Sequence, residues 1–185
     1  MKKSSLLLSL MLCLGLFGVN TVSAQKQNAI KIIPLALAMS NVSISYERFF
    51  TEKASFQIQG GYWLGGTIGS AKFNGFSATP EVRFYVSDSE SPKGFYLAPF
   101  ARYEAWNGYD KEATSEKVTV SRIGGGAVAG YQFLMGKTVT MDIFTGPRYY
   151  STSFKYEGAT AEDIDLTRLG GGFGLRFGAT LGVAF

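Results

Sequence analysis

The last segment of the chain alternates strictly between two kinds of residue and ends on an aromatic side chain. Every second position is apolar, and the residues between are glycine, alanine, threonine or the single Arg176. The apolar set is Phe173, Leu175, Phe177, Ala179, Leu181, Val183 and Phe185. Successive side chains of a β-strand point to opposite faces, so this pattern predicts a two-faced strand. Repeated along a chain, such segments restrict the fold to sheets and barrels.

The first 24 residues have a different character. Lys2 and Lys3 precede an apolar stretch from Leu6 to Val19, and the segment closes on the sequence Val-Ser-Ala at 22–24. This is the pattern of a cleaved signal peptide, and the stretch is shorter than the roughly 20 residues of a spanning helix. We predict a signal peptide over 1–24 and one domain over 25–185. The only cysteine, Cys13, lies in the signal, so no disulfide is expected.

Eight segments of the remaining chain alternate between turn signals. Each approaches the roughly 9–11 residues with which a tilted strand crosses a bilayer, and eight is the smallest common size of such barrels. The predicted strands are 28–38, 41–50, 54–64, 76–86, 95–106, 118–134, 138–150 and 169–185. The first does not alternate cleanly, and Pro34, Pro80, Pro99 and Pro147 fall within strands, where a closed barrel offers no free edge. The predicted fold is all-β, an eight-stranded antiparallel up-and-down transmembrane β-barrel.

Connection lengths support this topology, because small outer-membrane barrels have short periplasmic turns and longer external loops. Short turns are predicted at 51–53, 87–94 and 135–137. Long external loops are predicted at 65–75, 107–117 and 151–168, with a very short first loop near Ser40.

Lysines and arginines occupy different parts of the predicted strands and loops. Apart from Lys31, the lysines after the signal lie in turns, loops or strand ends, whereas arginines and carboxylates occupy the polar strand faces together with Gln57, Gln59 and Gln132. Because arginine suits buried pairing with carboxylates, we predict a charge network in the lumen. Its members are Glu47, Glu81, Arg83, Arg102, Glu104, Arg122, Asp142, Arg148 and Arg176. On this interpretation lipid contacts the apolar face, where an aromatic girdle is expected from Tyr46, Tyr62, Tyr103, Tyr131 and Tyr149.

Two six-residue segments resemble each other, Ser121–Gly126 and Thr167–Gly172, and each opens a strand that descends from a long loop. They suit either a glycine-lined cleft rimmed by Arg122 and Arg168 or, more simply, steric relief inside a narrow barrel. The steric interpretation is favoured.

Several kinds of chemistry lack their usual residues. The sequence has no histidine, the common base of enzymatic barrels, and no phosphate-binding or zinc-binding motif, so we expect no enzyme and no cofactor. Glu162, Asp163 and Asp165 form an acidic cluster that could bind a cation, although exposed charge runs are usually only solvated. The charge of about +2 after signal removal gives no argument for nucleic acid.

The signal ending at 22–24, the eight alternating segments and the terminal Phe185 together resemble the small outer-membrane barrels of the OmpX and OmpA-like class, particularly uncharacterised members from Bacteroidetes-type bacteria. The resemblance implies a location in the outer membrane, in contact with lipid and lipopolysaccharide. It also implies that the barrel assembly machinery reads the terminal signal. That assembly signal would be Phe177, Leu181, Val183 and Phe185.

From these observations we expect a monomeric, non-catalytic barrel that has a structural role in the envelope or binds a surface ligand through its external loops. One alternative is transport of small solutes or a hydrophobic ligand through the lumen, as in porin-like or OmpW-like barrels. Another is a soluble lipocalin-like barrel, for which the Gly-Tyr-Trp sequence at 61–63 is weak evidence.

Overall fold

The computed structural model describes residues 26–68, 71–87, 93–110, 117–157 and 171–185. They form a closed barrel of eight antiparallel strands in chain order, in which the last strand pairs with the first. This confirms the predicted all-β, eight-stranded up-and-down fold. The predicted signal peptide and the acidic cluster at Glu162, Asp163 and Asp165 lie outside the described residues.

The barrel contains one short helical segment between its first two strands. The elements are β1 (Asn28–Ile32), α1 (Pro34–Ala38), β2 (Asn41–Thr51), β3 (Ala54–Ile68), β4 (Ala71–Tyr85), β5 (Gly94–Asp110), β6 (Lys117–Met135), β7 (Val139–Glu157) and β8 (Gly172–Ala184). No helix in the described part of the chain has the length and apolar character needed to cross a membrane.

The prediction of a first strand over 28–38 was wrong. β1 ends at Ile32, and α1 begins at Pro34, the first helical position. Proline has no N–H to donate to a ladder, and its fixed φ suits the first turn of a helix. The strand therefore stops after five residues, and Leu35–Ala38 continue as helix.

The bounds of the long external loops were also wrong. β3 continues to Ile68 and β4 begins at Ala71, so most of 65–75 is strand, and β5, β6 and β7 likewise extend into 107–117 and 151–168. Glycine and asparagine in these segments suggested loops, yet cross-strand pairs hold them. Thr119 Oγ1, for example, donates to Asn107 Oδ1 at 3.0 Å across the β5–β6 pair.

The other three prolines do lie within strands, at points where a ladder is interrupted. Between β4 and β5 the paired residues jump from Ala78–Tyr103 to Glu81–Phe100, which leaves out Pro80. Pro147 falls in a similar gap between β6 and β7. Because proline cannot donate a ladder hydrogen bond, these local gaps reconcile it with a closed wall.

The outer face of the barrel wall is apolar, whereas the interior holds polar and charged side chains together with a few apolar ones such as Phe100 and Phe144. Ile44, Leu97 and Ile143 are about half exposed on the outer face, whereas Glu47, Gln57 and Thr79 are buried inside. Four of the five tyrosines predicted for a girdle are exposed in the same way, namely Tyr46, Tyr62, Tyr103 and Tyr149. The fifth, Tyr131, is partly covered and packs against Phe133. This is the reverse of a water-soluble fold, in which the apolar face is the covered one.

The glycines of the first repeat segment lie in the wall and leave no room for a side chain. A Cβ added at Gly124 would collide with the carbonyl oxygen of Tyr149, and one at Gly126 with that of Pro147. Both collisions are with the backbone of β7. This supports the steric interpretation for the β6 copy; most of the second copy lies outside the described residues.

Candidate functional site

The two ends of the lumen differ, and we name them by their connections. The lower half is the end that holds both described termini and the short turns after β2, β4 and β6. The upper half is the end that holds α1 and the hairpins of the long strands. The lower half contains the central charge layer, which consists of Lys31, Glu47, Glu81, Arg83, Asp142 and Arg176.

Arg83 lies at the centre of this layer and is fully buried. Its Nε donates to Glu81 Oε1 and its Nη1 to Asp142 Oδ2, both at 2.7 Å. Glu47 Oε2 lies 3.7 Å from the same Nη1. One guanidinium therefore joins carboxylates from three strands.

Lys31 supplies the second cation of the layer from β1. Its ammonium lies 2.5 Å from Glu47 Oε2 and donates to Gln132 Oε1 at 2.6 Å. Arg176 supplies the third from β8, where its Nη1 donates to Glu81 Oε2 at 2.6 Å. Three cations thus meet three carboxylates, and the layer carries no net formal charge.

Two tyrosine hydroxyls donate further hydrogen bonds to the carboxylates. Tyr96 donates to Asp142 Oδ1 at 2.6 Å and Tyr85 to Glu47 Oε1 at 3.0 Å. The Tyr96 ring also lies beneath the Arg83 guanidinium, 4.4 Å from its carbon. A buried ion pair is tolerated only when such additional hydrogen bonds satisfy it.

Small residues opposite make room for these large side chains. The tip of the Phe144 ring lies 2.7 Å from where a Cβ of Gly178 would be, and Lys31 Cγ lies 2.6 Å from that of Gly182. Phe144 and Phe100 flank Arg176, whose guanidinium carbon is 4.8 and 4.3 Å from their ring centres. With the buried Gln57 from β3, side chains from all eight strands fill the lower lumen.

The remaining predicted lumen residues lie in the upper half and are not part of this layer. Arg102 forms a separate pair with Glu104, with its Nε 2.5 Å from Glu104 Oε1. Arg148 lies over the Tyr150 ring at 4.9 Å and Arg122 over the Trp106 ring at 4.8 Å. The structure thus joins five of the nine predicted residues in one network.

A cavity of about 300 Å³ lies above the charge layer. Arg176 and Phe144 form part of its floor, and Arg102, Arg148 and Trp63 line its sides. This volume is at the lower end of the range for small-molecule pockets. A smaller cavity of about 140 Å³ lies beside it. Arg148 lines both cavities, and Arg122 lines the smaller one.

The wall of the barrel is incomplete beside this cavity. β8 pairs with β7 along its whole length, from Val183 at the lower end to Gly172 at the upper end. On its other edge it pairs with β1 only over Leu181–Ala184, because β1 ends at Ile32. Within the described residues, β8 above Leu181 therefore has a strand neighbour on one side only, and α1 lies next to that edge.

Sequence reasoning missed one member of the charge layer, Lys31, and two tyrosines that donate hydrogen bonds to it, Tyr85 and Tyr96. Lys31 was noticed as the only lysine within a strand but was not assigned to the lumen, because the pattern of the first strand was ambiguous. Tyr85 and Tyr96 were assigned no role. The alternation of Ala29 and Lys31 with Ile30 and Ile32 was the signal that could have located Lys31 inside.

Three of the predicted assembly-signal residues lie on the outer face of β8, and the fourth, Phe185, directly follows its last residue. Phe177, Leu181, Val183 and Phe185 are exposed, with Phe177 at 72% and Leu181 at 41%. Their recognition by an assembly machinery stays a prediction. Among the described residues, no group of three or more histidine, cysteine, aspartate or glutamate side chains is arranged to hold a metal ion.

Comparison with known proteins gives one finding. No curated protein and no solved structure matches the chain. The model of DUF3575, a family described as a protein of unknown function, matches residues 8–167. This match covers most of the sequence, and the chain therefore belongs to the DUF3575 family.

Proposed function

We propose that this protein is a non-catalytic outer-membrane β-barrel that serves as a structural component of the envelope. The observation that carries the proposal is the inverted wall, with apolar side chains exposed outside and balanced charges buried inside. Outer-membrane barrels have this arrangement, because the lipid-facing side must be apolar while the lumen is polar.

The secretion signal predicted at 1–24 supports export to the envelope. The outward tyrosines and the terminal Phe185 are consistent with contact with lipid and lipopolysaccharide, and with insertion by the barrel assembly machinery. The resemblance to OmpX and OmpA-like barrels belongs to this proposal, as do the monomeric state and the absence of an enzymatic role.

Exposure argues against a soluble lipocalin-like barrel. Phe76, Phe84 and Leu97 are about half exposed on neighbouring strands, and large apolar residues are exposed on the other strands as well. Soluble monomers rarely expose contiguous apolar patches larger than a few hundred Å². Lipid is therefore the solvent that suits this face.

The charge layer argues against conduction of small solutes. Arg83, Lys31 and Tyr96 are fully buried in the lower lumen, and side chains from every strand close it. Eight-stranded barrels are typically filled in this way by their own side chains. We therefore favour a structural role over a porin-like one.

Surface binding belongs to the same proposal in a revised form. The segments 65–75, 107–117 and 151–168 were expected to be loops, but their described residues are strand that extends β3 to β7. A ligand at the cell surface would therefore also meet the paired upper ends of these strands.

The test is reconstitution into lipid vesicles and planar bilayers. We expect the protein to float with vesicles after a carbonate wash and to show heat-modifiable gel migration. We also expect the current to stay at baseline across voltages. Solubility in buffer without detergent would contradict the membrane location, and steady single-channel steps would contradict the sealed lumen.

A further inference from the structure

We propose that the upper cavity binds the chain and carboxylate of a fatty acid, which enters sideways from the membrane through the gap beside β8. This inference rests on the proposed membrane location. It goes beyond a structural role, because it assigns a ligand class and a route of entry.

The route follows from which side chains line the cavity. Arg176 and Gly178 point into the lumen, whereas Leu175 and Phe177 point out of the barrel, yet all four line the same cavity. Leu35 of the neighbouring α1 lines it too, so the cavity reaches across the gap between α1 and β8. The cavity therefore opens through the wall, at the edge of β8 that β1 leaves without a strand neighbour.

The rim of this opening is apolar on both sides. One side is formed by Leu175 and Phe177, and the other by Leu35 of α1 and by Met39, which directly follows α1. None of the residues of α1 is buried, so its side chains remain available at the rim. Lipid-facing apolar edges of this kind admit an acyl chain and exclude a polar solute.

The interior of the cavity supplies a cation for a head group. Arg148 lines both the main and the smaller cavity. Among the described residues no carboxylate pairs with it, whereas Arg102 and Arg176 are paired with Glu104 and Glu81. A guanidinium in a largely apolar cavity favours a carboxylate, with which it forms charge-assisted hydrogen bonds.

The size of the cavity favours one chain over two. About 300 Å³ lies at the lower limit for small-molecule pockets, and the floor is closed by Phe144 and Arg176. A single-chain fatty acid fits this description better than a two-chain phospholipid. The occupant would sit with its carboxylate near Arg148 and its chain directed toward the rim.

Tryptophan fluorescence tests the proposal directly. The chain has two tryptophans, Trp63 and Trp106, which pack edge to face with ring centres 5.3 Å apart in the upper lumen. In vesicles of unlabelled phosphatidylcholine, a fatty acid brominated along its chain should quench this emission saturably. The unbrominated fatty acid should not quench, and should compete with the brominated one.

Three comparisons sharpen the test. In vesicles made of brominated phosphatidylcholine without fatty acid we expect little quenching. Replacing Arg148 by glutamine should weaken binding of the fatty acid about tenfold, as expected for loss of one charge-assisted interaction, and leave a brominated fatty alcohol unaffected. Filling the cavity with Ser43→Leu should abolish saturable quenching, with heat-modifiable migration reporting that the barrel still folds.

An outward tryptophan separates this inference from the membrane proposal. The variant Trp63→Phe, Trp106→Phe, Leu97→Trp carries its only tryptophan on the outer face. If brominated phosphatidylcholine quenches that variant while brominated fatty acid leaves the native tryptophans unchanged, the fatty-acid site is wrong and the membrane location stands. If the outward tryptophan is not quenched, the membrane location itself is wrong. Quenching of the native tryptophans by brominated phosphatidylcholine alone would also overturn the choice of a fatty acid.

Discussion

The lower and upper halves of the barrel use the same two-faced strands but differ in how they are closed. In the lower half β1 pairs with β8, and six charged side chains fill the lumen. In the upper half β8 has a free edge, and a cavity replaces the filling. Phe173 and Phe177 at the free edge are 90% and 72% exposed, compared with 49% for Val183 in the paired part. The lower lumen is thus filled by side chains, whereas the upper half holds a cavity beside an edge of β8 that no described strand covers.

Removal of one cation from each half should give the largest difference in unfolding free energy between variants. Arg83→Met would remove the nearest cation from Asp142 and one of two cations from Glu81, and breaking a buried pair in this way costs about 3–5 kcal/mol. Arg148→Met should cost less than about 1 kcal/mol, because the structure gives Arg148 no carboxylate partner among the described residues. Urea unfolding of both variants in the same vesicles measures the difference, and equal losses would contradict a specialised lower half.

A charge on the outer wall should have the next largest effect. Ile143 is on the outer face of β7, directly beyond the charge layer that contains Asp142. Ile143→Arg should destabilise the inserted barrel by about 2–4 kcal/mol if the residue lies near the bilayer midplane. The same unfolding experiment checks it, with Lys137→Arg in an exposed turn as the control. If Ile143→Arg left the stability of the barrel unchanged, water and not lipid would contact this face.

A smaller loss of stability is expected when a glycine of the barrel wall is replaced by alanine. Gly126→Ala would press a methyl group against the backbone carbonyl of Pro147 and should cost about 1–3 kcal/mol through overpacking. Gly60→Ala is the matched control, because nothing lies within 4 Å of its added Cβ. That control should stay within about 0.5 kcal/mol of wild type. Equal stability of the two variants would remove the steric explanation of the repeat.

Local alternation was enough to predict the number of strands, their order and the inward direction of residues such as Glu47 and Arg83. These depend on period-two patterning, which each strand carries by itself. The network needed more, because Lys31 meets Glu47 from the neighbouring strand and Gln132 from across the lumen. Such partners depend on register and barrel closure, which no single segment encodes.

The free edge of β8 was not foreseen, although its cause is visible in the sequence. Pro34 was noted as an obstacle within a strand, but alternation was carried through it to residue 38. The consequence of stopping at Ile32 appears near the other end of the chain, where β8 above Leu181 has no strand neighbour on its β1 side among the described residues. The long strands were likewise underestimated, because cross-strand contacts such as Thr119 with Asn107 outweigh the turn preference of single residues.

The most direct test of the account is a scan of spin labels along β8. Single cysteines would be placed from Phe173 to Val183 in a Cys13→Ser background, and collision with oxygen and with a water-soluble nickel complex would be measured in vesicles. We predict that oxygen accessibility alternates with a period of two and is highest at Leu175, Phe177, Leu181 and Val183, while nickel accessibility is low at these positions. High nickel accessibility at Phe177 and Leu181 would contradict a lipid-facing wall.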